Sequence, residues 1–90
     1  MTSLLSKNPA SFTEAAIDDE IVVMALDTGD FFSLTGTAHA IWRLIDGNRD
    51  RSAIIAAVAA EYAVEEQAVA GDVDNFLGEL EQAGFVRSAS

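Results

Sequence analysis

Any chemistry in this sequence would have to come from carboxylates and a single histidine. There is no cysteine among the 90 residues, which removes a thiolate nucleophile, a disulfide framework and a Cys-based zinc site. His39 has no second imidazole to share a metal with, and no serine at a spacing that suggests a nucleophile–base pair. Asp46-Gly47-Asn48-Arg49-Asp50-Arg51-Ser52 copies the front half of a calcium loop. The rest of that loop fails: Arg51 stands where the sharp turn needs glycine, and Ala57 where the bidentate glutamate belongs. The segment reads instead as a loop between helices that ends in a helix cap. Asp72 and Asp74 are two apart on a helical stretch, so they point in different directions and cannot converge on one reacting bond. Gly29 and Gly36 flank a strand and build no phosphate loop. The expectation is a protein that is not an enzyme and takes no cofactor and no metal.

Charge narrows the partners. Asp and Glu number 15 against 5 Lys and Arg, giving a formal net charge of −10. Half of the residues are apolar, which argues for a folded domain and against a charge-rich disordered chain. Nucleic-acid affinity comes mostly from Lys and Arg neutralising phosphates, so a nucleic-acid partner is excluded. No basic stretch followed by an apolar run opens the chain, and runs such as Ala56 to Ala60 are far too short to span a bilayer. A cytoplasmic location follows as the default. An acyl carrier protein has similar size and charge, but it needs an Asp-Ser-Leu setting for its prosthetic arm, which no serine here has.

Hydrophobic periodicity gives the elements that must carry any site. Phe12 to Ile17 alternates loosely, and Ile21 to Leu26 is rich in β-branched residues. The turn Asp27-Thr28-Gly29-Asp30 then leads to Phe31-Phe32-Ser33-Leu34, predicting a β-hairpin. On that last strand Phe32 and Leu34 share one face, and Phe31 and Ser33 the other. From Thr35 or Thr37 the period becomes helical through Ala38, Ile41, Trp42 and Ile45, with Gly47 as a stop. A second helix follows an Asp50 or Ser52 cap, with Ile54, Ile55, Val58 and Tyr62 as its stripe. The third runs from about Glu65 to Ala83 on Val69, Val73, Phe76, Leu77 and Leu80. The expected class is α+β, winged helix-turn-helix-like, with a three-stranded N-terminal antiparallel sheet followed by three helices. One domain is expected over residues 11–87, with flexible ends at 1–10 and 88–90. On the third helix Glu65, Glu66, Asp72, Asp74, Glu79 and Glu81 stand without a Lys or Arg, which argues against its lying in a DNA groove.

The ordered set Asp27-Thr28-Gly29-Asp30-Phe31-Phe32, Leu34-Thr35-x-x-Ala38-x-x-Ile41-Trp42-x-Leu44-x-Asp46-Gly47, Glu61-Tyr62 and Asp72-Val73-x-x-Phe76-Leu77-x-x-Leu80-x-x-Ala83-Gly84-Phe85-Val86 resembles the coenzyme PQQ synthesis protein D family. The resemblance spans roughly Phe12 to Val86; Thr35 stands where the family often has asparagine, and Ala38 where glycine is common. It implies a recognition element for ribosomally made, post-translationally modified peptides, which takes the leader of a precursor as an added strand beside the third helix. The implied peptide-binding residues are Asp30, Phe31, Phe32, Ser33 and Leu34 on the strand, with Val69, Asp72, Val73 and Phe76 on the helix. The implied partners are the leader, then a leader peptidase and cyclase in a lasso-peptide pathway or a radical enzyme in a PQQ-like one. Pairing of two copies into a homodimer stays open. Phe32, Leu34, Trp42, Leu77 and Leu80 also fit a purely structural role in the core. The alternative function is an acidic winged-helix regulator, or a general protein–protein adaptor with no leader ligand.

Overall fold

Alternation and turn chemistry build the sheet that carries the site. In the computed structural model, which describes residues 3–89, Phe12–Ile17 (β2), Glu20–Ala25 (β3) and Phe31–Leu34 (β4) form an antiparallel sheet in the order β2-β3-β4. Asp18, in the left-handed region at φ 53°, makes the tight β2–β3 turn. Gly29, at φ 77°, makes the β3–β4 turn, its N–H donating to the Ala25 carbonyl at 2.8 Å. Ile21, Val23 and Ala25 alternate inwards from β3 and are buried.

Three helices cover that inner face: Gly36–Leu44 (α1), Arg51–Tyr62 (α2) and Glu66–Gln82 (α3). Thr35 stands at the N-cap of α1 without a side-chain bond, whereas the Asp50 carboxylate caps α2 by accepting from the Ala53 N–H at 2.8 Å. Ile45 lies just past the end of α1 yet is buried, so it serves the core from the loop. Tyr62, expected on the buried stripe of α2, sits exposed in its last turn, beside Ala63 in the left-handed conformation.

The α+β class with three helices and an antiparallel sheet stands. The strand count does not: five strands in two sheets are present among the described residues, against the three in one sheet expected. Leu4–Lys7 (β1) and Val86–Ala89 (β5) pair antiparallel, with Leu5 opposite Ser88 and Lys7 opposite Val86. Of the ends expected to be flexible, Met1, Thr2 and Ser90 lie outside the described residues, while Leu4–Lys7 and the C-terminal Ser88 and Ala89 are strand. The physical reason is burial, because Leu5, Phe85 and Val86 all enter the core. Leu5 is further held through its backbone, donating to the Arg49 carbonyl and accepting from the Gly47 N–H, each at 2.9 Å.

Trp42, fully buried, is the hub of the core. The Phe12 ring meets it edge-on at 5.1 Å between centroids; Phe85 lies 5.5 Å from Phe12, and Phe32 5.4 Å from Phe85. This aromatic row runs from the centre of the molecule to the sheet edge. Lys7 closes the other end, its ammonium 4.5 Å above the Trp42 ring. The indole Nε1 of Trp42 donates to Glu14 Oε1 at 3.4 Å.

Candidate functional site, the free edge of β4 beside α3

A strand at a sheet edge offers unpaired backbone groups, and alternation decides which residues own them. The Ala25 N–H donates to the Asp30 carbonyl at 2.9 Å, so these two form a hydrogen-bonded pair. Every second pair along the ladder repeats the pattern: Val23 with Phe32, then Ile21 with Leu34. Phe31 and Ser33, opposite Met24 and Val22, are the intervening pairs, and their N–H and C=O groups point away from β3. On the other side of β3, Leu26 donates to the Ser11 carbonyl, which fixes the complementary phase towards β2. Among the described residues, the sheet order leaves nothing paired to β4 on its outer side.

The side chains follow the same alternation. Phe32 turns towards the helices, rests edge-on against Phe85 and stays 41% exposed, so one side of its ring is free. Leu34, two residues on, is buried in the core. Phe31 turns to the opposite face of the sheet and is 69% exposed. Ser33 shares that outer face, so its backbone alone addresses the edge.

The helix supplies the other wall. Val73, Leu77 and Leu80 are buried along the inner line of α3, and Val73 is 0% exposed. At about 100° per residue, Phe76 and Ala83 fall on one flank of that line, together with Asp72 and Glu79. Asp74 and Glu81 fall on the other flank, and Asp74 is bonded there to Arg51 of α2 at 3.0 Å. Phe76, Val69 and Ala83 are half-buried against the core. Ala83 and Gln82 meet Phe32, Ala25, Asp27, Thr28 and Asp30 around a cleft of about 330 Å³ at the hairpin end of the groove. Thr28 holds Asp30 at the rim, its hydroxyl donating to Asp30 Oδ2 at 3.0 Å.

The structure thus brings Asp30 and Phe32 to the cleft, with the edge groups of Phe31 and Ser33 along its margin, while Val69 and Phe76 lie half-buried and Asp72 exposed on the same flank of α3. It does not bring Leu34 or Val73 to the surface, and the ring of Phe31 lies on the other face. Asp27, Thr28, Gln82 and Ala83 are cleft residues that the sequence reading passed over. The hairpin turn and the helix end were both recognised from sequence, but only the packed chain puts them side by side.

The cleft is lined by the acids Asp27 and Asp30 with no Lys or Arg among its described lining residues, and Asp72 and Glu79 lie exposed on the flank of α3 that carries Phe76 and Ala83. Arg43 is bonded to Glu61 at 2.8 Å, Arg49 to Asp46 and Arg51 to Asp74, all away from this edge. Lys7 sits against Trp42, and burial lowers its pKa below the ordinary 10.5, partly offset by the nearby Glu14 and Asp46 carboxylates. Among the described residues no three His, Asp or Glu side chains gather to hold a metal ion. No described helix is long and apolar enough to cross a membrane.

Comparison with known proteins gives two matches and one blank. A solved structure described as "TbiB1 in Complex with the TbiA(beta) Leader Peptide" superposes with a TM-score of 0.80 at 29% identity, covering 94% of this chain and 98% of that one. No curated protein matches the chain. Residues 20–86, which carry β3, the free-edge strand, all three helices and the start of β5, match the family described as coenzyme PQQ synthesis protein D (PqqD). This chain belongs to the coenzyme PQQ synthesis protein D family.

Proposed function

We infer that this protein binds the leader segment of a ribosomally made precursor peptide. The leader would add as a strand to the free edge of β4, beside α3, and be delivered from there to processing enzymes. The observation that carries the reading is the edge of Phe31 and Ser33, unpaired among the described residues, beside a cleft lined by the half-exposed Phe32. It is supported by the similarity of nearly the whole chain to a protein solved with a leader peptide. Main-chain bonds give such a complex its affinity, and pockets for alternate side chains give it selectivity.

In this reading Phe31 and Ser33 pair with the leader through their backbones, while Phe32, Val69 and Phe76 receive its inward side chains. Asp30 and Asp72 meet its cations. Leu34 and Val73 act from beneath, holding strand and helix at the spacing of the groove. The protein has no catalytic step of its own and works in the cytoplasm. The winged-helix-like frame is put to peptide use, its sheet edge taking a strand. The downstream enzymes are a leader peptidase and cyclase in a lasso-type pathway, towards which the reading leans, or a radical enzyme in a PQQ-like one. A homodimer formed through β4 would occupy the edge the leader needs, so the leader would compete with it.

The test is a titration of the purified protein with a fluorescently labelled synthetic leader from the precursor gene beside its own. Binding at about 1 μM or tighter, close to −8 kcal/mol, is expected. If no small peptide encoded nearby binds, the proposal fails. Tight, salt-sensitive DNA binding would point to the regulator instead.

A further inference from the structure

The sheet has a second edge, β2, and nothing in its sequence protects it. Native edge strands are blunted by lysine, proline, a bulge or very short length. β2 runs Phe12-Thr13-Glu14-Ala15-Ala16-Ile17, with an unbroken register to β3 and neither Lys nor Pro. Thr13 to Ile17 are all exposed. The one charge is Glu14, whose carboxylate turns to the Trp42 indole on the inner face, 3.4 Å away. Among the described residues nothing pairs β2 on its outer side.

The phase of the ladder decides what this edge can pair with. Leu26 donates to the Ser11 carbonyl at 3.0 Å, so Thr13, Ala15 and Ile17 make the bonds to β3. The N–H and C=O groups of Glu14 and Ala16 therefore point off the free edge. The same strand of a second copy, antiparallel about a two-fold axis, offers the same groups. Two registers give both residues a partner within β2. With the axis at Glu14, that carboxylate stands opposite its own copy, which is unfavourable. With the axis at Ala15, Glu14 exchanges both backbone bonds with Ala16 of the second copy, and Thr13 stands opposite Ile17. No two charges then face each other along the paired strands.

We propose that β2 pairs with β2 of a second copy in this register, so that one six-stranded sheet crosses a homodimer. The edge is complementary to itself, which favours a second copy over any other occupant and closes the assembly at two. Ala15 meets Ala15 at the axis, flanked on either side by a Thr13–Ile17 pair. Both β4 strands stay at the outer ends of the joined sheet, so each copy keeps the edge proposed for the leader. An interface one strand wide belongs to the small, transient class. Two chains of net charge −10 repel at long range. The dimer therefore tightens as salt screens them, opposite in sign to the leader complex.

Sedimentation velocity of the full chain over a concentration series, at low and high salt, tests the proposal. A dissociation constant on the order of tens of micromolar is expected at high salt, and a weaker one at low salt. Ala16→Pro removes an N–H from the free edge and none from the β2–β3 ladder. It should weaken the dimer at least about tenfold and leave leader affinity within about twofold of wild type. Ala15→Lys and Ala15→Glu each set like charges face to face at the axis, so each alone should be monomeric. Mixed in equal amounts, the two should form a heterodimer, because the axis then pairs a lysine with a glutamate. These two variants keep the test decisive if the proline variant does not fold, and circular dichroism reports folding in all three. A wild type that stays monomeric at the highest concentration in high salt overturns the proposal. So does a dimer that folded Ala16→Pro and both Ala15 variants leave intact, or a mixture of the Ala15 variants that stays monomeric. The leader titration is a separate measurement, and neither result decides the other.

Discussion

Proline at position 33 tests the proposed strand addition, because alternation makes Ser33 dispensable to the fold and necessary to the ligand. The Ser33 N–H points off the free edge, so Ser33→Pro leaves the β3–β4 ladder bonds of Phe32 and Leu34 in place. Proline is tolerated on an edge strand when the missing N–H would have faced solvent. The ring prefers φ near about −65° against about −140° for an antiparallel strand, so some strain is expected in a four-residue strand. A thermal melt reports that strain separately. The effect on binding is larger than a lost hydrogen bond alone. The leader carbonyl that would have accepted from Ser33 is buried against the edge without a donor, at a cost of about 1–3 kcal/mol. That corresponds to roughly 5- to 150-fold in the dissociation constant.

Fluorescence anisotropy with the labelled leader measures the change, and two controls bracket it. Ser33→Ala removes only a hydroxyl on the outer face, so leader affinity should stay at the wild-type value. Phe32→Pro removes a ladder N–H and the ring that packs on Phe85, so it should lose stability as well as binding. A folded Ser33→Pro protein that binds leader as tightly as wild type would refute the assignment of the peptide to this edge.

Further outcomes can be read from stability and charge. Trp42→Ala empties the hub of the core and should lower the unfolding free energy by about 3–5 kcal/mol, a large part of the whole for so small a domain; urea titration followed by circular dichroism measures it. Leu5→Ala should cost about 2–5 kcal/mol by the same assay, because β1 belongs to the core. Lys7 holds its proton less tightly in the folded chain than in the unfolded one, so its penalty is full below the lowered pKa. Stability from this group therefore rises with pH from there up to 10.5, and Lys7→Met should abolish that rise in melts taken across the alkaline range. Leader affinity should fall as salt rises, and Asp72→Asn should flatten that slope while Asp74→Asn leaves it unchanged.

How much of this was legible in the sequence depended on how local the signal was. The β3–β4 hairpin carries its own turn chemistry at Asp27-Thr28-Gly29-Asp30, and α3 carries a helical period over 17 residues. Both are found where the pattern puts them. The β1–β5 pair has no such signature. Leu-Leu-Ser-Lys and Val-Arg-Ser-Ala are short and mixed, and each is made a strand by a partner at the other end of the chain. The separation of Phe31 from Phe32 follows from a period of two. Which of the two meets the helices, and which backbone groups lie free, required the hydrogen bond between Ala25 and Asp30 that sets the phase of the ladder.

The same limit governs the charge. Glu65, Glu66, Asp72, Asp74, Glu79 and Glu81 read in sequence as one acidic helix beside a groove. Packing divides them. The flank against α2 takes Asp74, which Arg51 neutralises, while Asp72 and Glu79 share the flank of Phe76 and Ala83. Asp27 and Asp30 then join the groove from the hairpin, although they lie more than forty residues earlier. Net charge alone therefore overstates what α3 contributes at the site and misses what the turn adds. A cation on the leader would be drawn to the hairpin end of the groove, where the cleft lies and where the free edge of β4 begins.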